Sequence, residues 1–325
     1  MTVLVIDDSL WYFPIQKNQL PLKRTKIISH LLITKASAKI AVYGRMIKFE
    51  HTIFALPFAL SALLLAHRVN PVKPRLAFLI IMAVVWARSA GMGFNQLVDA
   101  RWDAKNPRTA ARAIPAGHIS TGETGVFVFV SSILFVVSAL AISHLCFWLS
   151  FPVLLILFSY SYAKRYTWLC HLILGFVQAL GPLGVWLAVT GYFSLNILVL
   201  SLTLGTYIAG FDLLYACQDT EFDRREGLYS VPANLGIRRA LGLSIFLHAI
   251  TFISMLSLYW VFKLSYFYLA YVVIIGLLLI VEHKIVKPDD LSHINIAFFH
   301  VNSVISVLLL AAMVTEELIR KIIVS

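Results

Sequence analysis

The feature that most limits the fold is a succession of about nine apolar runs, beginning near residue 49 and continuing almost to the C-terminus. They lie near 49–66, 76–98, 122–143, 146–163, 169–190, 196–217, 240–262, 265–282 and 295–314. A hydrocarbon core of about 30 Å takes about 20 apolar residues of α-helix, so each run has roughly the length of one crossing. The runs are continuous rather than alternating, which favours helices over a closed barrel. Hydrophobic residues make up 60% of the 325-residue chain and the mean hydropathy is +0.84, whereas a soluble domain is about 45–50% apolar. The expected class is an all-α, multi-pass integral membrane protein with the lipid bilayer as its surroundings.

A net charge of +11 would suit a polyanionic partner, but its distribution argues against nucleic acid. The segments after the second, fourth, sixth and eighth runs hold Arg101, Lys105, Arg108, Arg112, Lys164, Arg165, Arg224, Arg225, Arg238, Arg239, Lys284 and Lys287. The opposite loops hold Arg68, Lys73, Arg75 and Lys263. By the positive-inside rule, the even-numbered exits and the N-terminus face the cytoplasm. Residues 1–44 are polar and basic, contain Pro14 and Pro21, and form neither a span nor a signal peptide. They read as a flexible extension ahead of a polytopic domain over 45–325, and a start at Met46 would leave that domain whole. Cys146, Cys170 and Cys217 are scattered, so neither a disulfide framework nor a cysteine zinc site is expected. The ten histidines are dispersed and read mostly as packing or interfacial residues.

Chemistry concentrates in two segments. Asn95, Asp99 and Asp103 follow the second run at spacings of four, and Tyr215, Asp219 and Asp223 repeat that spacing after the sixth. On an α-helix such residues share one face, with Cβ atoms about 6 Å apart. Like charges at that distance repel, and a divalent cation between them removes the repulsion. Mg²⁺ is commonly held by one or two carboxylates plus substrate phosphates. Two such stripes, on the same side of the membrane, would form a two-metal cradle for a diphosphate.

Other polar residues surround that cradle. Arg88 lies inside the second run, where an arginine costs about 2.5–3.5 kcal/mol and needs an anion or carbonyl. Gly91 and Gly93 permit close helix approach. In the loop 104–121, Arg112, and less strongly Lys105, suit capping of an anionic substrate, since guanidinium groups pair bidentately with phosphate oxygens. Lys164 and Arg165 either mark topology or bind diphosphate, the latter being favoured by their place on the acidic side. Pro57 kinks the first run, and Glu50 and His51 are interfacial or line an acceptor site. Gly181, Pro182 and Gly184 suggest a second kink with close packing. Asp212 is either an internal hydrogen-bonded carboxyl or functional, while Asn295 and Asn302 suit an interhelical polar contact.

Asn95-x3-Asp99-x3-Asp103, Tyr215-x3-Asp219-x3-Asp223, the Tyr-Ala-Lys164-Arg165-Tyr-Thr segment and the opening Ile-Lys-Phe-Glu-His-Thr-Ile-Phe-Ala-Leu-Pro-Phe together resemble the UbiA superfamily of intramembrane aromatic prenyltransferases. The opening looks like the 4-hydroxybenzoate polyprenyltransferase branch and its bacterial menaquinone-pathway relatives. The likeness runs from about residue 45 to the end. It implies nine helices around a central cavity under a cytoplasmic cap, in a bacterial inner membrane. It would make Asn95, Asp99, Asp103, Asp219 and Asp223 Mg²⁺–diphosphate residues, assisted by Arg88, Lys164 and Arg165. Gln96 stands where the family often has an aspartate after the asparagine.

The implied reaction moves a polyprenyl group from its diphosphate to an aromatic acceptor such as 4-hydroxybenzoate, in ubiquinone or menaquinone biosynthesis, with no obligate protein partner. Departure of diphosphate leaves an allylic cation, which the electron-rich ring attacks before a base removes the ring proton. Relatives with haem, chlorophyll or lipid acceptors would use the same cradle. The rival class is a transporter, but a carrier's acids belong near the midplane rather than at span exits.

Overall fold

The computed structural model describes residue 39, residues 41–47 and residues 52–324. The chain divides into two units, Met1–Tyr43 and Gly44–Ser325. The expectations for the N-terminal extension, Glu50 and His51 therefore fall largely or wholly outside the described residues. The helices are α1 (Thr52–His67), α2 (Pro74–Asp103), α3 (Thr121–Ile142), α4 (His144–Ala163), α5 (Cys170–Thr190), α6 (Leu195–Ala216), the short α7 (Thr220–Glu226) and α8 (Val231–Leu235), then α9 (Ile237–Val261), α10 (Tyr266–Ile285) and α11 (Asn302–Val324).

Within the described residues, each apolar run of the sequence is helical. Eight helices among the described residues are long and apolar enough to cross a membrane, and α1, at 16 residues, is shorter. Large apolar side chains such as Phe129, Trp148 and Leu155 point outward, 66%, 69% and 68% exposed, as a lipid-facing surface requires. The inside of the bundle is built differently. Lipid tails are as apolar as leucine, so helices associate through close packing of small residues and through polar contacts rather than through a hydrophobic drive.

That rule explains why α6 is the axis. Along its apolar stretch 72% of the residues are buried, more than in any other described span. Gly175 lets the α5 and α6 backbones approach, because a Cβ on it would lie 2.3 Å from the Gly205 carbonyl oxygen. Toward α9, Thr206 Oγ1 meets Thr251 Oγ1 at 2.8 Å and Ser244 Oγ donates to the Gly210 carbonyl at 2.6 Å. Phe54, Phe58, Tyr207, Phe211 and Phe298 fill the core between α1, α6 and the start of α11.

Gly91 and Gly93 behave as expected: a Cβ would meet Leu157 Cδ2 at 3.1 Å and Val128 Cγ2 at 2.9 Å, respectively. Gly181 and Gly184 do not, since no atom lies within 4 Å of a Cβ built on either, and both border open space. The close approach on α5 belongs instead to Gly175. Asn295 and Asn302 also differ from expectation, because residues Ile296–Val301 form a π-helical stretch that changes the register between them. Asn302 alone makes the described interhelical contact, donating to Glu282 Oε1 at 2.8 Å.

Gly175→Ala should therefore force α5 and α6 apart and lower stability by about 1–3 kcal/mol, the usual cost of overpacking. Gly181→Ala, which meets open space, serves as the control. Thermal unfolding in detergent checks this, and equal midpoints for the two variants would contradict the α5–α6 contact.

Candidate active site

The ends of α2, α4 and α6 meet at one end of the bundle. There α2 continues without interruption through Asp103, so Asn95, Asp99 and Asp103 occupy one face as their spacing requires. Asn95 Nδ2 donates to Asp99 Oδ2 at 3.1 Å. Asp99 Oδ1 faces Arg165 Nη2 at 3.4 Å, and Arg112 Nη1 bonds both oxygens of Asp103, at 2.9 and 2.7 Å. Arg165 is itself held in place: its guanidinium lies 4.2 Å from the Trp102 ring centroid and 4.9 Å from that of Tyr162, while Nη2 donates to the Val98 carbonyl at 2.9 Å.

The second stripe is not a continuous α-helix. After Ala216 the chain tightens into a 3₁₀ turn at Cys217–Asp219 before α7 begins. Such a turn winds at three residues per turn rather than 3.6, which rotates Asp219 and Asp223 relative to Tyr215. Asp219 consequently turns toward the α2–α3 loop, where it pairs with Arg108 and accepts from Asn106 Nδ2 at 2.9 Å. Asp223 turns toward Lys164, whose Nζ stands 2.8 Å from Oδ1, and its side chain is fully buried.

The α2–α3 loop thus ties both stripes together. Asn106 Oδ1 accepts from the Arg108 amide at 3.0 Å, and Thr109 Oγ1 donates to the Asp103 carbonyl at 3.1 Å. Arg108 Nη1 reaches the Tyr215 hydroxyl at 2.8 Å while its guanidinium sits 4.7 Å from that ring's centroid, and Tyr215 stacks on Phe298 at 4.1 Å. Lys105 pairs at the rim with Glu226 at 2.6 Å and is largely exposed. Burial alone would lower the Arg108 and Lys164 pKa values, but Asp219 and Asp223 outweigh it and raise both above the ordinary range. Both side chains therefore carry full charge.

A cavity of about 270 Å³ opens among these residues. Of the residues expected from sequence, Arg88, Asn95, Asp99, Asp103, Arg112, Lys164, Arg165, Tyr215 and Asp219 line it, whereas Asp223 lies behind Lys164 and does not. His51 is outside the described residues. Arg88 Nε donates to Thr52 Oγ1 at 3.0 Å, so a hydroxyl takes the place of the expected anion or carbonyl. Asp212 lines the cavity paired with His171, Oδ2 to Nδ1 at 2.6 Å, and His171 Nε2 is buried without a partner. Asn106, Arg108 and His171 were not distinguished as site residues by sequence. The Asn-Pro-Arg turn is a usable signal for the first two, while His171 has none. A second, apolar cavity of about 200 Å³ shares Arg88 and Gln178 with the first.

The helical bundle thus carries a basic and acidic cavity at one end and an apolar cavity beside it, the two sharing Arg88 and Gln178, an arrangement of the intramembrane-enzyme class. The profile of the UbiA prenyltransferase family matches residues 55–304, and the chain belongs to that family. It is similar to a 4-hydroxybenzoate octaprenyltransferase of Yersinia enterocolitica, 26% identical over 284 residues that cover 86% of this chain and 97% of that one. The apo structure of a UbiA homologue from Aeropyrum pernix K1 aligns with a TM-score of 0.75 at 31% identity, covering 82% of this chain and 98% of the other. A UbiA homologue from Archaeoglobus fulgidus, solved with DMAPP and Mg²⁺, shares the fold at a TM-score of 0.66 and 20% identity, covering 84% and 98%. The protein is a prenyltransferase, and the carrier reading is not retained.

Arg165→Lys keeps the charge and hence the topology. It loses the planar group stacked between Trp102 and Tyr162. We expect kcat/KM for prenyl diphosphate to fall by about 10–100-fold, the equivalent of about 1.5–3 kcal/mol for a charge-assisted bond. Unchanged kcat/KM with normal orientation of a C-terminal reporter would leave Arg165 as a topology residue.

Proposed function

We propose that this enzyme transfers a polyprenyl group from polyprenyl diphosphate to an aromatic acceptor, 4-hydroxybenzoate or a related ring acid, in ubiquinone or menaquinone biosynthesis. The proposal places it in a bacterial inner membrane with the site facing the cytoplasm, as the loop charges favour. The observation that carries the reading is the adjacency of two cavities that share Arg88 and Gln178 in their walls: one lined by Asp99, Asp103 and Asp219 among arginines, the other apolar. A diphosphate head fits the first and an isoprenoid tail the second. The names of the Yersinia relatives and the DMAPP and Mg²⁺ of the Archaeoglobus homologue support this assignment.

Carboxylates converging on one cavity are the hard oxygen donors that Mg²⁺ takes, so the donor set fits that ion. Asn95, Asp99, Asp103 and Asp219 would hold it, with Asp223 behind them. When bound, Mg²⁺ neutralises the diphosphate and favours its departure as a Lewis acid. The chain's own residues do the rest. Arg108, Arg112 and Arg165 each pair with a carboxylate here. With substrate present they exchange that carboxylate for phosphate oxygens, to which a guanidinium fork is equally suited. Arg88 forms no ion pair among the described residues and offers its guanidinium to an anionic group of either substrate. Tyr215 and Phe298 line the cavity and help keep water from the allylic cation. The ring proton passes to Asp212, whose part-exposed carboxylate lines the cavity and is oriented by His171.

Asp99 gives the cleanest test of the acidic cradle. Its only ion pair among the described residues is the long one to Arg165, whereas Asp223 is fully buried against Lys164 and its truncation would open the packing there. In purified protein, Asp99→Ala should lower Mg²⁺-dependent diphosphate release in the presence of ring acceptor by about 100-fold or more, while the thermal midpoint changes little. Absence of Mg²⁺-dependent release by the wild type with any hydroxylated ring acid would overturn the assignment.

The tail site makes a separate forecast. Gly184 lines the apolar cavity and a Cβ there meets nothing within 4 Å. Gly184→Leu should reduce kcat/KM for a long polyprenyl diphosphate several-fold more than for a five-carbon one. Equal reduction for both would put the tail elsewhere.

A further inference from the structure

Away from both cavities, α9 and α10 bring three ligand-bearing side chains together beside α6. His248 Nδ1 lies 2.9 Å from His283 Nε2 and 3.5 Å from Glu282 Oε2, and all three ligand atoms fall within 4.8 Å of one another. His248 is 2% exposed, Glu282 is fully buried, and His283 is half-buried. From this arrangement we propose a second metal site, a His–Glu–His site for Zn²⁺ that ties α9 to α10 and is independent of the Mg²⁺-dependent cradle.

The surrounding hydrogen bonds orient these atoms as metal ligands. His248 Nε2 faces the Tyr207 carbonyl oxygen at 3.3 Å. A carbonyl only accepts, so Nε2 carries the proton and Nδ1 presents its lone pair to the cluster. Asn302 Nδ2 donates to Glu282 Oε1 at 2.8 Å, which leaves Oε2 facing the cluster with no hydrogen-bond partner. One imidazole nitrogen is fixed by a backbone carbonyl and one carboxylate by an amide, the outer-shell pattern that metal ligands show. Gly210 supports it, because a Cβ there would lie 2.3 Å from His248 Cδ2.

A polar network without a cation fits less well. His283 Nε2 can donate to His248 Nδ1 at 2.9 Å, but Glu282 Oε2, 3.5 Å from that same nitrogen, is then left without a partner. An unpartnered carboxylate oxygen inside a membrane bundle is costly. Two nitrogens and one oxygen match zinc, with bonds of about 2.0–2.1 Å and a fourth position left for water. The imidazoles disfavour Mg²⁺, which prefers oxygen donors in an octahedron. The two sites therefore select different ions.

The test measures zinc by inductively coupled plasma mass spectrometry on tag-free, full-length protein that has been stripped with chelator, reloaded with ZnCl₂ and dialysed against excess Mg²⁺. About one zinc per chain is expected in the wild type and in Asp99→Ala, and less than a tenth of that in His283→Ala and Glu282→Gln. Zinc should also raise the thermal midpoint of stripped wild type and Asp99→Ala but not of His283→Ala, the half-buried position whose truncation is best tolerated. A wild type that neither takes up stoichiometric zinc nor shifts its midpoint overturns the site. Zinc that survives His283→Ala but is lost in Asp99→Ala overturns it as well, by assigning the ion to the acidic cradle.

Discussion

Carboxylates crowded at one end of an apolar bundle would drive the helix ends apart unless each were neutralised, and that neutralisation organises the structure. Asp99, Asp103, Asp219 and Asp223 pair with Arg165, Arg112, Arg108 and Lys164. These bases come from the α2–α3 loop and the α4–α5 turn, so the pairing fixes where both connections lie over the cavity. The loop becomes a cap because its charges have nowhere else to go. Even the chain beyond α7 follows suit, since the Tyr229 amide donates to the Lys164 carbonyl at 2.7 Å.

The pairs are unequal, and the differences track burial. Asp223 is the most deeply buried of the four acids, with no side-chain exposure, although its partner Lys164 keeps 36% of its side chain exposed toward the cavity. Arg165 and Asp99 form the loosest, at 3.4 Å with both side chains partly exposed. Pairs of the second kind exchange partners at little cost when an anionic substrate enters, while the first kind keeps the scaffold rigid. The cradle thus combines a fixed ion pair at its back with labile ones on its wall.

Much of this was legible in the sequence because its signals are local. Apolar runs of about 20 residues admit one solution in a bilayer, and the spacing of Asn95, Asp99 and Asp103 on an uninterrupted helix leaves their common face in no doubt. The 3₁₀ turn at Cys217–Asp219 was not legible, since no glycine or proline marks it. It arises where α6 must end and hand Asp219 to Arg108 in the loop above, a tertiary demand that overrides local preference. The Arg108–Asp219 pair is not legible because its partners lie 111 residues apart in the chain. The same distance problem hides His248, Glu282 and His283: dispersed histidines read as packing residues until α9 and α10 lie side by side.

The π-helical stretch before α11 shows how function and packing share one constraint. It places Phe298 against Tyr215 in the polar cavity while setting Asn302 against Glu282 on α10. A regular α-helix winds seven residues through nearly two full turns, which would give Asn295 and Asn302 one face. The wider π winding breaks that register, so Phe298 and Asn302 serve different neighbours. α6 performs the corresponding task from the other side, holding Tyr215 at the cavity and supporting His248 through Gly210 and the Tyr207 carbonyl. The aromatic wall of the site and the histidine–glutamate cluster are therefore attached to the same two elements, and a change that shifts α6 against α11 reaches both.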